Sequence, residues 1–270
     1  MQFHLVLAAL SKGSFIPINN SYAISAVIFK VLHKADSDYA AFLHNKGYTQ
    51  KDSLKSFKLF TFSDLKTPFQ IRGDRLLLLT GQAELVVSFH LPQAAETFIK
   101  GLFIQQQIEI ADRKSRAAFT ITRVEALPLP LTNDAIQELV LQPRSPMVCG
   151  LKNERGNYSF LPPEHPEFIP QLMYNWKEKY KAQSGTEAAE TAFAESAMEV
   201  IFYSNPPRSR LITIKADTPA ETKIRGFVNF RLRVKGKREA LELLLNSGAG
   251  VYNSLGMGSL EVEKQETGAG

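Results

Sequence analysis

Four glycines fall within the eleven residues Gly248-Ala249-Gly250-Val251-Tyr252-Asn253-Ser254-Leu255-Gly256-Met257-Gly258. Glycine admits positive φ and lets a second chain approach closely, so a shaped surface loop is expected, its backbone lying against a phosphate chain. Ahead of it, Glu239 to Leu245 has helical spacing with a leucine-rich face; behind it, Ser259 to Glu263 alternates like a half-buried strand. The order helix, glycine loop, strand excludes the commoner phosphate binders. A dinucleotide fingerprint runs from strand to helix and needs glycine where this chain has Asn253. A P-loop ends in Gly-Lys-Ser/Thr, a run the chain does not contain.

A basic segment leads into this helix. Ile224 to Lys235 alternates apolar residues with Arg or Lys, the pattern of a single strand with one buried and one cationic face. Arg225, Arg231, Arg233 and Lys235 share parity on it and hence one face. From Asn205 to Arg238 there are ten Lys or Arg against Asp217 and Glu221, whereas Glu187, Glu190, Glu195 and Glu199 make the preceding stretch acidic. The formal net charge is only +5, so the distribution carries the argument. Alone, a charge run describes a solvated face; beside a glycine loop it points to a nucleic-acid backbone bound with salt-dependent affinity.

At 270 residues, 44% hydrophobic and 22% charged, the chain is globular and fits two domains of ordinary size. The first half reads as strand Phe3 to Leu10, helix Asn20 to Lys34, a helical turn Asp36 to His44, and strands at Phe57 to Ser63, Arg75 to Thr80 and Glu84 to Phe89. Pro92 opens a helix over Gln93 to Lys100, and a strand follows from Phe103 to Ile110. That is a β-α-β-β-α-β order with an added hairpin, the ferredoxin-like arrangement. In the second half Ala117 to Leu127 and Ala135 to Leu141 read as extended and Glu164 to Lys181 as helical. Strands are expected at Met198 to Tyr203, Arg210 to Lys215 and Arg225 to Lys235. Gln93 to Lys100 and Glu239 to Leu245 take equivalent places, a helix followed by the closing strand, as in a structural duplication. The expected fold is α+β: two tandem ferredoxin-like (RRM-like) domains, residues 1–126 and 127–270, with a C-terminal glycine-rich loop. The join falls at Leu127-Pro128-Leu129-Pro130, and residues 182–186 and 268–270 are expected to be mobile.

Among the five histidines, His4, His33, His44, His90 and His165, none has a zinc spacing with another histidine or with cysteine. No metal and no cofactor is expected. Cys149 is the single cysteine and sits in an apolar run, which predicts a buried, inert thiol. No apolar run approaches the roughly 20 residues needed to span a bilayer, and the opening residues lack the pattern of a secretory signal; a cytoplasmic protein without a membrane partner is expected. RNA offers a reaction that needs no metal. Its 2′-hydroxyl attacks the adjacent phosphate once a base takes its proton and an acid protonates the departing 5′-oxygen, and histidine, with a pKa near 6.5, suits both roles. A cation near the phosphate stabilises the transition state, and the products are a 2′,3′-cyclic phosphate and a 5′-hydroxyl.

The glycine loop with its basic approach, the opening Met1-Gln2-Phe3-His4-Leu5-Val6-Leu7, Tyr39-Ala40-Ala41-Phe42-Leu43-His44 and Lys58-Leu59-Phe60-Thr61-Phe62-Ser63 together resemble the CRISPR repeat-processing endoribonucleases. The resemblance implies that Gly248, Gly250, Asn253, Ser254, Gly256 and Gly258 hold repeat RNA with the basic strand, while the first domain cuts the precursor transcript. His44 matches the family's helix-end histidine, and Asn45-Lys46-Gly47-Tyr48 after it predicts a loop position open to substrate. Lys58 matches the lysine that opens the next strand, a cation for the scissile phosphate. The chain departs from the pattern at Phe29, where some members carry tyrosine. His33, one helical turn further on the same face, is the candidate to take over, giving a two-histidine site with His44. The partners implied are repeat RNA, precursor and processed, and a surveillance complex that retains the guide. Two alternatives stay open. One is a non-catalytic repeat-RNA-binding subunit of the same fold, favoured by Phe29; the other is a protein-interaction module whose glycine loop serves only close packing.

Overall fold

The computed structural model describes residues 1–50, 55–154, 158–202, 206–216 and 218–263. The expected strand end at Tyr203, the acidic Asp217 and the terminal segment 268–270 lie outside the described residues.

The first half runs β1 (Gln2–Ala9), β2 (Phe15–Pro17), α1 (Ser21–Ala35), α2 (Ser37–Asn45), β3 (Tyr48–Thr49), β4 (Ser56–Phe57), β5 (Phe60–Phe62), β6 (Phe69–Arg72), β7 (Arg75–Leu78), β8 (Gln82–Phe89), α3 (Pro92–Ile104), β9 (Gln107–Ala111) and β10 (Arg116–Leu127). Its main sheet has the order β5-β8-β1-β10-β9, with every neighbour antiparallel. Without the β9 edge this is the strand order of a ferredoxin-like β-α-β-β-α-β unit. Helix α1 buries Ala23, Ile24, Val27, Ile28, Val31 and Leu32, an i, i+3, i+4 stripe that packs on the sheet with Phe98 and Leu102 of α3. The Asp36 carboxylate caps α2 by accepting from Tyr39 N at 2.9 Å.

The second half repeats the plan with β11 (Gln137–Pro143), β12 (Gly150–Lys152), β13 (Tyr158–Phe160), α4 (Phe168–Ser184), α5 (Thr186–Phe193), β14 (Ala197–Phe202), β15 (Arg208–Ile214), β16 (Thr222–Val228), β17 (Phe230–Gly236), α6 (Arg238–Ser247), a 3₁₀ turn at Asn253–Leu255 and β18 (Leu260–Val262). The sheet order β14-β17-β11-β18 matches β5-β8-β1-β10 strand for strand, and α6 stands where α3 stands. The chain is therefore two tandem ferredoxin-like units, as the sequence pattern implies.

Several boundaries differ from expectation for identifiable reasons. The strand expected from Phe103 begins at Gln107, because α3 continues to Ile104 to bury Leu102 one turn beyond Phe98. Residues 182–184 are the last residues of α4, which runs on to Ser184, and Gly185 at φ 85 alone separates it from α5. The helix expected from Glu164 starts at Phe168. The single strand expected over Arg225 to Lys235 is two, since Asn229 adopts φ 70 and ends the first. Strand β16 then forms a separate ribbon with β15, tied to Met147 by a bridge at Phe227, while β17 lies in the main sheet. The strand expected from Phe57 to Ser63 breaks in the same way at Leu59, φ 52.

That break at Leu59 joins the halves. Its side chain enters the second core with Leu141, Phe230 and Leu244, while Phe60 and Phe62 on the next strand stay in the first. Around it, Gln2 Nε2 donates to Leu245 O at 2.9 Å, Asp64 N to Arg144 O at 3.0 Å, and Arg210 Nη1 to Asp64 Oδ2 at 2.6 Å. Within the first half the tightest approach is Gly101 of α3 on α1, where a Cβ would stand 2.0 Å from Val31 O. Gly101→Ala should therefore lower the unfolding free energy by about 2 kcal/mol or more. Gly81→Ala, whose Cβ would meet nothing within 4 Å, should leave the urea midpoint nearly unchanged, and comparing the two midpoints checks the packing.

Candidate active site and nucleic-acid interface

His44 is exposed in the last turn of α2, which corrects the loop position expected for it. The helix runs one residue further, and Lys46 N and Gly47 N both reach back to Phe42 O, at 2.9 and 2.8 Å. Its Nδ1 lies 3.1 Å from Asn45 Oδ1. In the tautomer that donates from Nδ1 to this amide oxygen, Nε2 is the nitrogen left to accept a proton. The Phe29 ring packs edge-on against the imidazole, centroids 5.0 Å apart at 81°. Lys58 Nζ donates to His44 O at 2.9 Å, and burial lowers the pKa of this lysine. Gly47 permits that approach, since a Cβ there would sit 2.7 Å from Phe57 O and 3.1 Å from Lys58 Cδ.

The structure thus brings together His44, Lys58 and Phe29. His33 is exposed on α1, and among the described residues it shares no hydrogen bond, ion pair or ring contact with His44. Tyr39 and Tyr48 meet each other, hydroxyl to hydroxyl, at 3.2 Å. The remaining histidines have local partners: His4 lies between Glu84 and Glu125, His90 Nε2 meets Gln183, and His165 Nδ1 accepts from Glu167 N. Cys149 is buried, and burial pushes its thiol up to about 12.

The glycine loop is not the surface loop its composition suggests. Gly248, Gly250, Gly256 and Gly258 are all buried, and each takes a positive φ. The close approaches are to the protein itself: a Cβ would lie 2.1 Å from Val148 O at Gly250, 2.4 Å from the Phe62 ring at Gly256 and 1.9 Å from Ala249 O at Gly258. Two contacts tie the loop to the first half, Thr61 Oγ1 donating to Met257 O at 3.0 Å and Ser25 Oγ to Ser254 O at 2.6 Å. The Asn253 amide is occupied within the loop, its Nδ2 donating to Ala249 O and Met257 O at 2.9 Å each. What the loop offers outward is its half-buried crest, Val251 to Leu255.

The basic strand is also divided. Arg225 lies on the β15–β16 ribbon, where Nη1 donates to Ser209 Oγ at 3.0 Å. Arg231, Arg233 and Lys235 stay together on β17, on the face opposite the buried Leu232 and Val234. Arg231 pairs with Glu263, and Arg233 with Glu199 and, at 3.5 Å, Glu138. The shared face expected for all four cations does not form, because one residue at positive φ resets the side-chain alternation.

Lys179 escaped the sequence reading. It is 2% exposed on α4, and its Nζ donates to Gly248 O and to Asn253 Oδ1, both at 2.6 Å. Burial pulls its pKa down to about 7. A signal was available: Phe168, Leu172, Trp176 and Lys179 fall on one helical stripe, and a lysine on an apolar stripe needs a buried partner.

Comparison with known proteins accords with this arrangement. Residues 15–125 match the family described as CRISPR-associated protein Cas6, N-terminal, and residues 131–262 match CRISPR associated protein Cas6, C-terminal. A relative named CRISPR-associated endoribonuclease Cas6 1, from Methanocaldococcus jannaschii, is 28% identical over 171 residues, a match spanning 62% of this chain and 61% of that protein. CRISPR-associated endoribonuclease Cas6 of Pyrococcus furiosus is 22% identical over 254 residues, 93% of this chain and 85% of the relative. A solved structure of a Cas6-related protein from Pyrococcus furiosus superposes with a TM-score of 0.77 at 17% identity, covering 98% of this chain and 99% of the other. With both of its halves matched and the fold shared end to end, the chain belongs to the Cas6 family of CRISPR-associated proteins.

Proposed function

We propose that this protein is an endoribonuclease that binds repeat RNA in a precursor CRISPR transcript and cuts it by attack of the RNA's own 2′-hydroxyl. The observation that carries the reading is the exposed imidazole of His44, with Nδ1 beside Asn45 Oδ1 and with Lys58 Nζ held on the carbonyl of the same residue. Nε2 takes the proton from the 2′-hydroxyl, and the 2′-oxygen forms its bond to phosphorus as the bond to the 5′-oxygen breaks. Lys58 offsets the charge that gathers on the phosphoryl oxygens. The departing 5′-oxygen gains its proton on the far side of the phosphorus, and exposed His33 is the candidate donor. Because the nucleophile belongs to the substrate, no metal-bound hydroxide is required. In this reading residues 1–126 carry the cutting groups and residues 127–270 the larger share of the RNA contacts, with the loop crest and Arg225, Arg231, Arg233 and Lys235 as candidates. The partners are precursor and processed repeat RNA and a surveillance complex that keeps the guide.

A second reading rests on Phe29. Its ring edge meets His44 with no hydroxyl to assist proton transfer, which favours a subunit that binds repeat RNA without cutting it. Tight, salt-dependent binding with no cleavage of any repeat would establish that alternative. Binding of no RNA at all would leave a packing module.

Cleavage should persist in EDTA and yield a cyclic phosphate, and a 2′-deoxy nucleotide just 5′ of the scissile phosphate should abolish it. Loss of cleavage in EDTA, or cutting of the deoxy substrate, overturns the mechanism. His44→Ala should slow single-turnover cleavage by roughly 100-fold or more with little change in RNA affinity; an unchanged rate removes His44 from the reaction. Lys58 is charged below its pKa, and burial holds that pKa below 10.5, so the rate should fall as pH rises through the lowered value. Lys58→Arg keeps its charge across that range, and its rate–pH profile should lack the alkaline fall.

A further inference from the structure

Resting on the endoribonuclease reading, we propose that Lys179 is a positioning residue: from beneath the glycine-rich loop it holds that loop on α4, in register with the segment that carries Lys58. Its side chain emerges from the apolar stripe of α4 and ends between two acceptors, Gly248 O at the loop entrance and Asn253 Oδ1 at the crest, both at 2.6 Å. Asn253 extends the link, because its Nδ2 donates to Ala249 O on the entry arm and to Met257 O on the exit arm. One amine and one amide therefore clip both arms of the loop to a single helix. Apolar packing alone would not place an amine there, since burying it costs several kcal/mol unless its N–H groups are taken up. An uncharged amine retains two N–H groups, enough for both acceptors, so the clip does not depend on protonation.

The same helix also reaches the cutting segment. Tyr174, and Glu178 next to Lys179 in the chain, meet Lys55, which precedes β4 and Lys58; the Lys55 Nζ to Glu178 Oε2 separation is 3.8 Å. Helix α4 is thus the common reference for the loop that faces RNA and for the lysine beside His44. Loosening the Lys179 end frees the loop and leaves the Lys55 end in place, so RNA capture should suffer more than the bond-breaking step.

The test compares the full chain with Lys179→Met, which keeps the length of the side chain and removes the donor. Repeat RNA is cleaved under single-turnover conditions with protein in excess, and hydrogen exchange is followed across residues 248–258. The half-saturating protein concentration should rise about 10-fold while the maximal rate stays within about 3-fold, and exchange should quicken in the loop and not along α4. A general loss of structure would instead lower the melting temperature and quicken exchange along α4 as well as in the loop, and the half-saturation point is referred to the active concentration found by stoichiometric RNA titration. Asn253→Ala should act in the same direction, and the double variant should add little to either single change. A folded Lys179→Met with unchanged half-saturation and unchanged loop exchange overturns the proposal. Should that variant fail to fold, Asn253→Ala decides by the same two readouts. If the wild-type protein binds no repeat RNA, it is the endoribonuclease reading that falls, and loop exchange alone decides the role of Lys179.

Discussion

The contact on which the rest of the structure depends is the seating of the glycine-rich loop on β5. Gly256 lies against the Phe62 ring with no space for a Cβ, and Thr61 on the same strand donates to Met257 O. Strand β5 is the edge strand of the first sheet and leads directly from Lys58, while the loop lies between α6 and β18 of the second unit. A ferredoxin-like unit can fold on its own plan, but the distance between a group on one unit and a group on the other is set only by such a joint. A side chain at Gly256 would force the joint apart, and one at Gly258, its Cβ 1.9 Å from Ala249 O, would part the two arms of the loop itself. The glycines are therefore needed for protein packing before any question of RNA arises. The αL residues Leu59 and Tyr252 at its borders show backbone strain held in place by that packing.

The overall plan was legible because its signals are periodic. The apolar stripes of α1, α3 and α6 and the alternation in β8 and β10 follow the two repeats of helix and strand, and their order alone implies the ferredoxin-like duplication. What was missed was the two places where a non-glycine residue at positive φ splits an expected strand. Nothing in Phe57-Lys58-Leu59-Phe60 marks a break by composition, since leucine is a rare choice for such a conformation, whereas Asn229 is of a type that enters it several-fold more often and was the signal masked by the alternation around it. Those two residues account for the largest errors. Leu59 splits a strand and exchanges cores, and Asn229 separates Arg225 from the other three cations. The glycine loop failed for a different reason. Close approach was read correctly, but glycine does not say what approaches, and here it is carbonyl groups and a phenylalanine ring.

The site was legible in a narrower sense. Neither helical periodicity nor spacing singles out His44 among the exposed histidines; only resemblance does, and the geometry then adds the Nδ1 contact with Asn45 and brings Lys58 to its carbonyl. The expected partnership with His33 has no contact to support it, so an acid and a base acting in one step would have to be brought together by the RNA lying between them. Lys179 stood in plain view on an apolar helical stripe, yet a search for exposed cations passes over it because its role is toward the protein.

The distribution of charge then decides how the second half can act on a polyanion. Two of the three cations of β17 already have carboxylate partners: Glu263 on Arg231, and Glu138 and Glu199 on Arg233. An RNA phosphate reaching that face must displace a carboxylate, so the gain per contact is a difference between two ion pairs rather than the full worth of one. Arg225 carries no such penalty, since its partner is the neutral hydroxyl of Ser209. Of the four cations that share parity in the sequence, Arg225 on the β15–β16 ribbon and Lys235 on β17 are thus the two that, among the described residues, meet a phosphate without displacing a carboxylate.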